Sequence, residues 1–134
     1  MVAELVVRHA LSEIMISSGA DLTGMLDEAH LDITASLWLY VPESGSWRFV
    51  IGSPQTETRG PRWVYKKIQT VLSKMPEGRP KVSLKDISVV DSSDPLISHL
   101  KVTVRTGMSI PGIRLSDNVI NGITIDEAYV YRVS

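Results

Sequence analysis

The 134 residues carry 43% hydrophobic and 22% charged side chains, which excludes a disordered chain and suffices to bury a core without a disulfide or metal. The absence of cysteine excludes disulfides, thiolate nucleophiles and cysteine-based zinc sites, and it fits a reducing compartment, so a cytoplasmic location is expected. Net charge is −1, but residues 1–43 hold seven acids against one arginine (−6), residues 44–85 nine bases against two acids (+7), and the remainder sums to −2, an asymmetry that marks either an acidic or nucleic-acid partner or two segments that face each other across one surface.

The first eight residues, MVAELVVR, lack a basic n-region and a continuous apolar run, so a signal peptide is not expected. Residues 2–17 instead read as a helix, with Ala3, Val6, Val7, Ala10, Leu11 and Ile14 on one stripe and Ser18-Gly19 as the stop. Val2, Leu5, His9 and Ile16 gather on the opposite side, which suggests a helix covered twice, once by its own sheet and once by another element or subunit. Asp21 then caps a short second helix with Leu22, Met25, Leu26 and Ala29 as its apolar face, although Gly24 weakens it.

The period changes to two over residues 33–41, and the turn cluster PESGS leads into a second strand at 47–51. With Val41 opposite Trp47, this hairpin places Leu37, Leu39, Trp47, Phe49 and Ile51 on one face and Trp38, Tyr40, Arg48 and Val50 on the other. Residues 52–60 read as a polar loop. Pro61 opens a helix to about Met75, with Val64, Ile68, Val71, Leu72 and Met75 inward and Arg62, Lys66, Lys67 and Lys74 outward beside Trp63. Residues 81–90 follow as a strand with a bulge at Lys85-Asp86, Asp94 caps one helical turn over 96–100, and 101–105 alternate as a strand. Asn121-Gly122 between β-branched residues predicts a hairpin, and 128–133 a last strand with Tyr129 and Tyr131 on one face. The expected architecture is one α+β domain over residues 1–134, a mainly antiparallel sheet of five or six strands packed by two main helices.

No apolar run approaches the roughly 20 residues of a membrane span, so no membrane partner is expected. His9, His30 and His99 are too scattered for a zinc motif. The local run Asp27-Glu28-Ala29-His30-Leu31-Asp32 offers oxygen and nitrogen ligands but reads better as a solvated loop, and no metal or cofactor is assigned. No nucleophile elbow or phosphate loop is present. Lys85-Asp86 with Asp91 and Asp94 matches no nuclease signature, so no catalytic residue is assigned.

Two surfaces remain. Leu5, Ile16, Trp38, Tyr40 and Arg48 have the aliphatic, aromatic and arginine character of an interface core, and they predict a non-enzymatic interaction module that self-associates or joins a larger complex. Arg59, Arg62, Trp63, Lys66, Lys67 and Lys74 form the alternative, a nucleic-acid or phosphate-ligand site on the basic helix. A small hydrolase or nuclease stands third, without a site.

Overall fold

The computed structural model describes residues 10–104, 112–120 and 123–134. Among them are helices α1 (Glu13–Glu28), α2 (Gln55–Arg59), α3 (Pro61–Ser73) and α4 (Pro95–Thr103), and strands β1 (Ala35–Val41), β2 (Ser46–Gly52), β3 (Ile87–Val90), β4 (Ile113–Ile120) and β5 (Ile123–Val133). The strands make one sheet in the order β3-β2-β1-β5-β4. No helix among the described residues is long and apolar enough to cross a membrane.

The sheet is mixed. All pairs are antiparallel except β2–β3, because the chain leaving β2 crosses over through α2 and α3 before it returns as β3, and such a crossover delivers a parallel strand. The α+β class therefore holds with five strands, while the packing involves more than two helices. α3 anchors the crossover: the Tyr65 hydroxyl donates to the Ile87 carbonyl at 3.2 Å and accepts from the Val89 amide at 3.1 Å, closing groups of β3 that no strand pairs.

Among the described residues the first helix begins at Glu13, and it runs further than its sequence suggests. Ser12 is its N-cap, accepting from the Met15 amide at 3.1 Å, and the helix continues through Ser18-Gly19 to Glu28. Residues 1–9, with Val2, Leu5 and His9, lie outside the described residues. Ser-Gly does not end the helix because both residues face the core. The Ser18 hydroxyl donates back to the Ile14 carbonyl at 2.6 Å, and the Tyr131 ring lies where a side chain on residue 19 would project. Asp21 is not a cap but the partner of Arg79, at 2.8 Å.

The hairpin forms with its register moved by one residue. Tyr40 pairs with Trp47 and Val41 with Ser46, because 42–45 make a four-residue loop in which Ser44 and Gly45 donate back to Val41 and Pro42 and Gly45 takes φ +62°. The shift moves every side chain of β1 to the other face relative to β2. Trp38, Tyr40, Trp47, Phe49 and Ile51 thus share the main core with Leu22 and Leu26 of α1 and Val64 and Ile68 of α3. Leu37 and Val50 belong to a second cluster with Leu100 of α4, Ile125, Ala128, Val130 and Val133.

Two further segments differ from expectation. Residues 84–86 form a 3-10 turn where the parity shift suggested a bulge, so the strand keeps only Ile87–Val90. The helix capped by Asp94, whose Oδ1 accepts from the Leu96 amide at 2.9 Å, extends through 101–103 instead of yielding a strand. β4 and β5 pair up to Ile120 and Ile123, as the Asn-Gly signal predicts, although residues 121–122 lie outside the described residues. Near the end of β5 a bulge opposite Ser36 and Leu37 turns both Tyr131 and Arg132 toward α1.

Candidate functional site

The basic surface is built at the junction of α2 and α3. Gly60 takes φ +88°, a conformation that favours glycine, and it turns the chain sharply before Pro61 starts α3. This turn returns Arg59 to the helix it precedes, with its guanidinium carbon 4.9 Å from the Trp63 ring centroid. One helical turn beyond Trp63, the Lys67 ammonium lies 5.3 Å from the same centroid. Each contact is in range for a cation–π attraction, on the order of 0.5–1 kcal/mol at an exposed site. Val64, Ile68, Val71 and Leu72 are buried on the inner side, which fixes the rotation of α3 and directs Arg62, Lys66 and Lys67 to solvent, with Lys74 exposed just past its end.

Among the described residues, none of Arg59, Arg62, Lys66, Lys67 and Lys74 meets a carboxylate in an ion pair. Among the described residues, the acids of the first third do not neutralise them. Asp21 pairs with Arg79, and Asp27 holds Arg132 through two contacts of 2.6 and 2.9 Å. Glu57, on the same short helix as Arg59, is turned to the opposite partner. Its carboxylate accepts from the Ser92 hydroxyl and amide, which hold its pKa below the usual carboxylate value. The half-buried Trp63 thus lies between cations that meet no carboxylate among the described residues.

Of the described residues in the expected interface, Trp38, Tyr40 and Ile16 meet in or against the main core, and Arg48 stands apart from them. Trp38 and Tyr40 lie in the core, the Trp38 indole donating to the Met15 carbonyl at 2.9 Å and its ring meeting Phe49 edge-on at 5.0 Å. Tyr40 packs edge-on against Trp47 at 5.4 Å. Arg48 stands on the other face of the sheet, where its guanidinium donates to the Lys85 and Ile87 carbonyls and to the Ser88 hydroxyl, tying β2 to the start of β3. The one-residue shift in register separates Arg48 from Trp38 and Tyr40. Ile16 is half-buried against the main core, and Leu5 lies outside the described residues.

The chain matches no family model, no curated protein and no solved structure. Among the described residues no three metal-ligating side chains converge. In the run 27–32, Asp27 is engaged by Arg132, the Asp32 carboxylate accepts from Gln55 at 3.3 Å, and His30 is exposed with φ 59°. Of the acids following Lys85, Asp94 is a helix cap.

The composition of the basic surface was readable from the spacing of α3. The approach of Arg59 to Trp63 was not, since it depends on the turn at Gly60; a glycine immediately before Pro61 was the available signal.

Proposed function

We propose that this chain is a binding module for single-stranded nucleic acid and that α3, with the end of α2, is its contact face. The observation that supports this reading is the half-buried Trp63 flanked by Arg59 and Lys67 among cations without carboxylate partners. One helical turn, about 6 Å, separates Trp63 from Lys67, so a nucleotide can place its base on the indole and its phosphate on an ammonium. A base arriving at the ring takes the place of one of the cations, which is then released to a phosphate. A duplex hides its base faces in the stack, so the same surface favours unpaired strands. The one acid on α2 or α3, Glu57, is engaged by Ser92, and of the other acids that bring the pI to 6.3, Asp21 and Asp27 pair with Arg79 and Arg132. Fluorescence anisotropy of a labelled oligothymidylate at low salt tests the proposal; absence of binding there dismisses it.

Self-association through α1 is a second reading, supported by Ile14, whose side chain is 61% exposed near the half-buried Ile16. Light scattering behind size exclusion over a wide concentration range tests it. A mass that stays at 14.8 kDa removes it.

A further inference from the structure

A cleft of about 540 Å³ opens between α1, the β1–β2 hairpin and residues 80–86, and no cation of the α3 face lines it. Its volume is that of a small-molecule site. Trp38 and Trp47, both buried, contribute ring surface, Ile14 and Met15 line it from α1, and the buried Val82 lines it from the segment after α3. The indole N–H of Trp38 is already committed to the Met15 carbonyl, so this ring offers a ligand apolar surface and no donor.

Among the described residues, one wall of the cleft is fixed by contacts with both helices. Arg79 pairs with Asp21 of α1 at 2.8 Å, and the Lys81 ammonium donates to the Leu72 carbonyl at the end of α3, at 3.4 Å. These contacts pin residues 79–81 against both helices and direct the Lys81 charge elsewhere. Lys81 and Asp86 are the charged residues lining the cleft; the Lys81 ammonium is engaged by the Leu72 carbonyl, whereas the half-buried Asp86 carboxylate has no hydrogen bond or ion pair among the described residues. A carboxylate bordering an apolar, partly desolvated wall attracts a cation more strongly than one in open water, and aromatic faces reinforce that preference.

We infer that this cleft binds a small apolar molecule carrying one positive charge, with the apolar body against Trp38 and Trp47 and the charge on Asp86. The inference is independent of the basic face.

The test uses three matched probes, 4-phenylbutylamine, 4-phenylbutanol and 4-phenylbutanoate, titrated into the full chain while the indole N–H resonances of Trp38 and Trp47 are followed by NMR. The expected result is saturable movement of both resonances, with the amine binding about tenfold or more tightly than the carboxylate and the alcohol between them. Asp86→Asn is expected to bring the amine to the level of the alcohol while the alcohol binds as before, which also shows that the variant is folded. Absence of saturation by every probe at about 10 mM overturns the site. An amine preference that survives Asp86→Asn overturns the role of the carboxylate.

Discussion

Replacing Lys66 and Lys67 together by glutamine removes two of the five exposed cations Arg59, Arg62, Lys66, Lys67 and Lys74 without disturbing the buried side of α3. If each of the five neutralises one phosphate, the logarithm of affinity for a single strand falls with the logarithm of salt at a slope of about −3.5, and for the double variant at about −2.1. Between 50 and 200 mM salt, the native chain is then expected to lose about 130-fold in affinity and the variant about 20-fold. Anisotropy of a labelled oligothymidylate measured at four or five salt concentrations gives both slopes. Trp63→Leu, which keeps apolar bulk on the core edge, is expected to weaken binding by roughly 1–3 kcal/mol with an unchanged slope, because stacking releases no counterion. A native slope near zero refutes the electrostatic argument. A double variant that binds less tightly with the native slope refutes the assignment of these two lysines.

Two glycines of α1 are expected to respond oppositely to alanine in thermal unfolding. At Gly19 an added Cβ falls against the Tyr131 hydroxyl and within 2.7 Å of its ring carbons, so Gly19→Ala destabilises by roughly 1–3 kcal/mol, whereas Gly24 has nothing within 4 Å and Gly24→Ala stabilises by about 0.5–1 kcal/mol through helix propensity. Asp27→Ala leaves the buried guanidinium of Arg132 without its carboxylate and is expected to cost roughly 2–4 kcal/mol, while Asp21→Ala, at the exposed Arg79 pair, costs less than about 1 kcal/mol; equal effects in denaturant titrations would contradict this. Burial, with a smaller contribution from Tyr129, pushes the pKa of Tyr131 well above its ordinary value of 10.0. The raised folded value means that its contribution to stability is intact below pH 10 and declines as pH rises beyond it, a decline that Tyr131→Phe removes at the expense of the 2.6 Å bond to the Ile16 carbonyl. Chemical unfolding of both proteins between pH 8 and 12 checks the slope.

Features set within one turn of helix or one pair of strands were legible without a structure. The inward stripe of α3 and its start at Pro61, the alternation of β1 and β2, the Asp94 cap and the Asn-Gly hairpin each depend on neighbours a few residues apart. The cationic surface was legible for the same reason, because the period that buries Val64 and Ile68 exposes Lys66 and Lys67. Residues 101–103, by contrast, carry an alternation compatible with a strand, and they became helix in α4, which packs against β5 through Leu100.

What the sequence by itself determined is the class of local structure and the placement of charge along it. Partner choice over long distances belonged to the tertiary structure: Tyr131 approaches Gly19 and lets α1 continue, Arg132 finds Asp27, and a hairpin loop of four residues moves the register by one. That single step placed Trp38 and Tyr40 in the core and Arg48 on the other face, since side chains alternate along a strand with a period of two. Alternation specifies that a strand has two faces, and only the helices packed on them decide which face is buried against what.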